Sequence, residues 1–262
     1  MSQLDVAILQ ALRAANGASI RESFLATAVK VNLTEIAARL DELRAAGYQI
    51  ERANDSCRLV GTPDRLTADD LRGALGHCLI GNRIIVVEET RSTNDFILQL
   101  IKPELAEGLV VFAERQTAGR GQRANRWESA AHKGLWFSIF LRPKISLAKS
   151  ARLTAWAAEN VADTVAKELA LRPTIKVPND VYVGNGKIAG VLVEMRAEAG
   201  FGHVAIAGIG INVNHTREDF PEQLQGRAGS LAMAAGRRVN RYDLAVALLR
   251  NLNSTYTETF PS

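Results

Sequence analysis

The sequence predicts an α+β protein, on three observations. Helical periodicity dominates the first sixty residues. A long Ala- and Leu-rich helical pattern covers Ser146 to Leu171. Three strands then follow closely, over about 174–183, 187–197 and 203–213. The turns joining them, Gly184-Asn185-Gly186 and Gly200-Phe201-Gly202, are hairpin connections. Connections this short make the sheet antiparallel or mixed rather than doubly wound.

The N-terminal elements are read in order. Leu4, Ile8, Leu9 and Leu12 keep a helical period that Gly17 stops, and a second helix spans about Arg21 to Val29. In the third, Leu33, Ile36, Ala37, Leu40 and Leu43 mark one face. Asn32 or Thr34 caps its start, Glu35 completes a box-like pattern with Asn32, and Gly47 is the left-handed residue after its end. Tyr48 to Arg52 and Cys57 to Val60 then alternate around the turn Ala53-Asn54-Asp55-Ser56. Three helices and a ribbon in 1–62 look like a winged helix-turn-helix, with the third helix as groove reader. The other reading is a small helical domain that packs against the larger unit or a partner. Residues 63–80 form a linker with a helix from Thr67 to Leu75.

The larger unit, 81–262, opens with a strand at Ile84–Val87 and a helix from Asp95 to Ile101. Strands at Gly108–Glu114 and Gly134–Leu141 flank a long polar loop, and a last helix runs from Tyr242 to about Thr259.

Composition bounds the class. The chain has 262 residues, 47% hydrophobic and 23% charged, close to the soluble globular average. No apolar run reaches the roughly 18 residues of a membrane span, and MSQLDVAILQ lacks the basic start of a secretory signal. Cys57 and Cys78 belong to no C-x-x-C pair, so the expectation is a reduced, cytoplasmic protein without a membrane partner. The net charge of +4 invites a nucleic-acid reading, but 1–62 holds seven Lys/Arg against seven Asp/Glu. The local excess lies at Arg115, Arg120, Arg123 and Arg126, twelve residues without an acid, which suits one anionic ligand.

Familiar phosphate motifs fail. Gly208-Ile209-Gly210 is followed by Val213 where a dinucleotide fingerprint needs glycine, and it sits late in a hairpin series. Gly186-Lys187 lacks the first glycine and the Ser/Thr of a P-loop. His77, His132, His203 and His215 have no metal-ligand spacing.

Four segments remain. Ser92-Thr93-Asn94, at a strand–helix junction, reads as a helix cap or a ligand site. Gln116 to Trp127 carries Gly119 and Gly121, which let backbone approach a ligand, and guanidinium forks suited to carboxylate or phosphate. Its other reading is a mobile solvated loop. Lys176-Val177-Pro178-Asn179-Asp180 is the third. In the fourth, Lys187 to Glu194, a lysine enters an apolar strand, which is odd unless its ammonium meets an anion.

The order Ser-Thr-Asn, Gly-Arg-Gly with Arg and Trp, Lys-x-Pro-Asn-Asp, Lys-Ile-Ala-Gly and Gly-Ile-Asn resembles the biotin protein ligases of the bifunctional type, over about 85–215. That resemblance implies a class II synthetase-like mixed or antiparallel sheet with helices behind a winged helix-turn-helix. It implies a two-step reaction in which biotin and Mg²⁺–ATP give biotinoyl-AMP. A lysine of the biotin carboxyl carrier protein of acetyl-CoA carboxylase then takes the biotin. Ser92, Thr93, Asn94, Gln116, Gly119, Arg120, Gly121, Gln122 and Lys187 are implied as biotin-binding, with Lys187 and Arg120 catalytic. Lys176, Asn179, Asp180, Asn212 and Trp127 are implied as nucleotide-binding, with Asp180 facing the metal. Operator DNA and a ligand-induced homodimer are implied further partners.

Three departures stand out: Val177 in place of a usual Trp, Ala124 in place of a usual Gly, and Gln122 where some members carry Arg. The sequence also ends at Ser262 without the small β-barrel usual in bacterial members, from which weaker ATP affinity is expected. Alternatives to the ligase are a biotin-responsive DNA-binding repressor with weak or no catalysis, and a lipoate-type ligase.

Overall fold

A computed structural model describes residues 2–122, 125–198 and 202–260. Arg123, Ala124 and most of the Gly200-Phe201-Gly202 turn, named above, lie outside the described residues. The chain divides into two compact units, Met1–Gly76 and His77–Ser262.

The first unit contains α1 (Gln3–Ala14), β1 (Ile20–Arg21), α2 (Glu22–Val29), α3 (Leu33–Ala45), β2 (Gln49–Ala53), β3 (Ser56–Gly61) and α4 (Ala68–Leu75). Asn32 caps α3 by accepting from Glu35 N–H at 2.8 Å, and Gly47 follows with φ +96°. The full capping box forms at α1 instead, between Ser2 and Asp5. Asn54 and Asp55 both take positive φ, so the wing turns through two left-handed residues. Beyond the expected ribbon, β1 adds a third strand on β3. Ile8, Leu9, Leu12, Leu25, Ile36, Leu40 and Cys57 form the core. The helix read as part of a linker is the fourth helix of this unit. Tyr48 donates to Asp70 at 2.5 Å, and Gln10 donates to the Gly73 carbonyl at 2.9 Å.

The second unit is built on seven strands. They are β4 (Arg83–Thr90), β5 (Leu109–Gln116), β6 (Gly134–Leu141), β7 (Pro173–Lys176), β8 (Asp180–Val183), β9 (Gly186–Glu198) and β10 (Gly202–Asn212). Their order is β4-β5-β6-β10-β9-β8-β7. Only β4 and β5 pair in parallel, so the sheet is mixed and mostly antiparallel, as predicted. The strand expected over 174–183 is two strands. Pro178 cannot donate to a ladder, and the chain reverses at 177–179, so the Lys-Val-Pro-Asn-Asp motif forms a hairpin tip.

Helix α5 (Thr93–Leu100) begins two residues earlier than predicted because Ser92 is its N-cap. It packs on β5, β6 and β10 through Ile97 against Val111, Phe140 and Ile206. Helices α6 (Ser150–Leu169) and α8 (Arg241–Thr259) pack together over the strands, and a short α7 (Leu231–Ala235) was not read from the sequence. All eight residues of β6 are buried, which is why that strand reads as a continuous apolar run. No described helix is long and apolar enough to cross a membrane.

Glu114 on β5 is nearly buried and pairs with the buried guanidinium of Arg241 at the start of α8. Such a pair adds little over an apolar substitute, yet removing one charge strands the other. Glu114→Gln should therefore lower stability by about 3 kcal/mol, read from the urea midpoint. An unchanged midpoint would show that Arg241 needs no carboxylate.

Candidate functional site

The site starts from a row of residues with little or no side chain. Gly190 on β9 and Gly210 on β10 are cross-strand partners, and Gly208 lies two residues along on the same face as Gly210. A Cβ on Gly190 or Gly210 would fall 2.8 or 2.6 Å from the Trp127 indole, and one on Gly208 would fall 2.4 Å from Asn94 Oδ1. The three glycines are thus a floor on which Trp127 and Asn94 rest. The Gly-Ile-Gly sequence that fails as a dinucleotide motif works here through its two-residue period.

Polar groups converge above this floor at the start of α5. Thr93 donates from its N–H (2.8 Å) and hydroxyl (3.1 Å) to Gln116 Oε1, and Gln116 Nε2 donates to Ser129 Oγ (3.1 Å). Ser138 Oγ, buried on β6, lies 2.7 Å from Thr93 Oγ1 and 2.5 Å from Asn94 Oδ1. Its single proton serves one of them. Asn94 Nδ2 donates to Glu194 at 2.7 Å. Ser92, Thr93 and Asn94 are all at least 96% buried. Both readings of this triplet hold, since Ser92 caps the helix and all three side chains border a cavity.

That cavity has a volume of about 280 Å³. Ser92, Thr93, Asn94, Gln116, Arg120, Gly121, Gln122, Trp127, Lys176, Asn179, Asp180 and Lys187 all line it. A second cavity of about 420 Å³ adjoins it, bordered by Tyr182, Asn212, Phe220, Leu224, Arg227 and Ala228 among others. Trp127, Asp180, Lys187, Asn125 and Arg126 border both, and Asp180 is the one carboxylate common to the two.

Lys187 sits at this junction. Its Nζ is 2.6 Å from Asp180 Oδ1 and 5.3 Å from the centroid of a Trp127 ring. The anion that the sequence demanded for this lysine is therefore supplied from β8, the neighbouring strand. The backbone is clamped as firmly. Lys187 N–H donates to the Arg227 carbonyl, and Gly229 N–H donates to the Lys187 carbonyl, each at 2.9 Å. Asn212 Nδ2 donates to the Lys187 (3.3 Å) and Gly229 (3.0 Å) carbonyls. Asn212 thus borders only the second cavity and spends its amide holding the lysine in place. Gly119 accepts from Trp127 N–H at 2.9 Å and supports the loop from behind. Lys176 is exposed, with its ammonium 5.9 Å from the Tyr182 ring. Asn179 ties the β7–β8 tip to the Val191 carbonyl at 3.1 Å. Val177 stands 84% exposed beside it.

One expectation is corrected. The arginines from 115 to 126 lack acids within their own segment, but the described ones are paired by acids from elsewhere. Arg115 meets Glu89 (3.0 Å), Arg126 meets Glu128 (3.0 Å), and Arg120 meets both Asp95 (2.8 Å) and Glu194 (2.9 Å). Local composition could not reveal partners on β4, α5 and β9.

Behind the cavities an aromatic chain runs from Trp127 to Trp136 (6.2 Å), His215 (5.7 Å) and Phe220 (4.9 Å, stacked). The sequence reading missed Ser138, Ser129 and the wall of the second cavity formed by Phe220, Gln223, Leu224, Arg227 and Ala228. Residues 213–240 carry no period that would have signalled a wall.

Fold and site together define a mixed-sheet domain with two adjoining cavities that meet at one lysine. Residues 86–212 match the Biotin/lipoate A/B protein ligase family. The bifunctional ligase/repressor BirA of Bacillus subtilis is 33% identical over 235 residues, covering 89% of this chain and 72% of that protein. The biotin–[acetyl-CoA-carboxylase] ligase of Mycobacterium tuberculosis is 32% identical over 174 residues, 64% of this chain and 62% of its own. Among solved structures, the biotin protein ligase of Aquifex aeolicus in complex with biotin and ATP superposes with a TM-score of 0.56 at 29% identity. That match covers 68% of this chain and 72% of the other. The chain belongs to the biotin/lipoate protein ligase family.

Two predictions follow from this geometry. Gly208→Ala should displace Asn94 and cost about 1–3 kcal/mol of overpacking, seen as a lower melting temperature; an unchanged melt would mean that the floor has slack. Burial holds the His215 imidazole down to about 4, with Lys133 adding to the shift and Asp219 opposing it. The unfolded chain takes up that proton first, near 6.5. Stability is thus whole above about 6.5 and falls by on the order of 3 kcal/mol as pH drops toward 4. The loss in urea midpoint from pH 7 to pH 4.5 should be smaller in His215→Phe, and equal losses would exonerate His215.

Proposed function

We propose that this chain is an ATP-dependent biotin ligase that forms biotinoyl-5′-AMP and transfers biotin to a lysine of a biotin carboxyl carrier protein. The observation that carries the reading is Lys187 at the junction of two adjoining cavities. Biotin fits the smaller one, bordered by Ser92, Thr93, Asn94, Gln116 and the Arg120–Gln122 segment. The nucleotide fits the larger one, walled by Trp127, Phe220 and Asn212. In this arrangement the biotin carboxylate attacks the α-phosphate, pyrophosphate leaves, and negative charge builds where the ammonium already points. Asp180 yields Lys187 to the incoming anions, so the charge is held ready without being stranded. The carrier lysine then attacks the acyl carbon and AMP leaves with the bonding pair. Holding both reactants over a rigid floor supplies most of the catalysis, and exclusion of water protects the mixed anhydride.

Among the described residues no three potential metal ligands converge. Mg²⁺ is accordingly proposed to arrive on the ATP phosphates, with Asp180 as its protein carboxylate, which is how this ion is usually held. Bound there, it neutralises phosphate charge.

The first unit has the element order of a winged helix, yet every basic side chain of α3 and of the β2–β3 ribbon is engaged by an acid. Arg39 pairs with Glu42, Arg44 with Asp41, Arg52 with Glu22 and Asp41, and Arg58 with Glu51. We propose that its affinity for arbitrary DNA is weaker than about micromolar at physiological salt, which fluorescence anisotropy at two salt concentrations tests.

The ligase reading is tested with labelled biotin, ATP, Mg²⁺ and a carrier domain, with lipoate offered in parallel. Label should reach the carrier from biotin, and Lys187→Ala should cut kcat/KM roughly a hundred- to a thousandfold. No adenylate and no labelled carrier would sink it, and labelling from lipoate alone would move the substrate to that acid.

A further inference from the structure

Resting on the ligase reading, we propose that Glu194 is a positioning residue for biotin, outside the cavity, that fixes two of its walls at once. Glu194 lies on β9, on the same face as Gly190 and four residues along. One of its oxygens, Oε2, accepts from Asn94 Nδ2 at 2.7 Å and lies 2.9 Å from Arg120 Nη2; the other lies 3.1 Å from the same nitrogen. The same Arg120 nitrogen also meets Asp95 Oδ1 at 2.8 Å.

Two consequences follow. The first concerns Asn94, whose amide has two orientations. With Ser138 Oγ against Oδ1 and Glu194 against Nδ2, only one is satisfied, because the flipped amide would set its oxygen against a carboxylate. Glu194 thereby decides whether Asn94 shows the cavity a donor or an acceptor. The second concerns the loop. Main-chain bonds from Gly121 N–H to the Asn125 carbonyl (2.7 Å) and from Trp127 N–H to the Gly119 carbonyl (2.9 Å) close the loop on itself. The guanidinium anchored to Asp95 and Glu194 adds a tie from the loop to α5 and β9, where Arg120 and Gly121 border the cavity. Arg120 therefore acts through its anchors; its charge is directed at Asp95 and Glu194. Both Arg120 and Glu194 side chains are 42% exposed, so salt weakens this anchor.

The effect should fall on biotin binding and spare the chemistry. In Glu194→Ala, the KM for biotin should rise about five- to twentyfold, with kcat at saturating biotin, the KM for ATP and the melting temperature nearly unchanged. Glu194→Gln can still accept from Asn94 but carries no charge for Arg120, and it should give an intermediate rise that depends less on ionic strength, since only the Asp95 pair remains. Asp95→Asn, which leaves Asn94 untouched, should give the smallest rise. Glu194→Ala and Arg120→Ala should combine less than additively, since both remove one anchor. An unchanged biotin KM in Glu194→Ala overturns the proposal. So does a parallel loss of kcat, both KM values and melting temperature, which would mark a merely structural residue. Failure of the wild-type chain to bind biotin by calorimetry overturns the ligase reading itself, before any substitution is made.

Discussion

The site depends on a constraint that is unusual for the centre of a sheet: one face of β9 and β10 must be bare. Gly190, Gly208 and Gly210 provide that bareness, and the clash distances leave no room for even a methyl group without displacing Trp127 or Asn94. Glycine inside a strand is unfavourable by roughly 0.5–1 kcal/mol each relative to alanine. The neighbours offset this, since β6 is buried along its whole length and β10 pairs along most of its length on both sides. Rigidity is thus delivered by the flanking strands, and emptiness by the glycines.

On that floor, charges are neutralised within the protein and then made available. Lys187 rests against Asp180 and Trp127, and Arg120 rests between Asp95 and Glu194. An isolated ammonium at the junction would lose hydration with no compensation. The partner carboxylate removes that cost while holding Nζ between the cavities. Under the proposed reading, a phosphate or carboxylate ligand would exchange one anion for another and need not order a free side chain. Arg120 differs, because its two partners lie on α5 and β9 and tie the loop to the scaffold.

Local features were the legible ones. Asn32, Thr67 and the Gly184–Gly186 turn could be placed because caps and tight turns are decided within a few residues. The blocks that come together were also legible, since Ser92-Thr93-Asn94, Arg120-Gly121 and Lys187 stand out as short segments and border one cavity. What each residue does was less so. The arginines looked unpaired because their acids lie 26 residues away for Arg115 and 74 for Arg120. The hairpin at 177–179 was read as continuous strand, although Pro178 marked the break. The 220–228 wall of the second cavity was invisible, because 213–240 follow neither a helical nor a strand period.

Asn212 shows why block recognition and role can part company. The resemblance sets it facing the nucleotide; it borders the second cavity, and its amide nitrogen is occupied by the Lys187 and Gly229 carbonyls. Its substitution would act through lysine placement before it acted through nucleotide contact. The same logic runs through the backbone. Lys187 is gripped on one side by the Arg227–Gly229 segment and on the other by β8. Gly186 and Gly229 approach so closely that a Cβ on either would fall 2.9 Å from the other's Cα. The lysine is thereby located by main-chain bonds on both sides and by one ion pair at its tip. Little of its position is left to a flexible four-carbon stem, so the ammonium stays fixed where the two cavities meet.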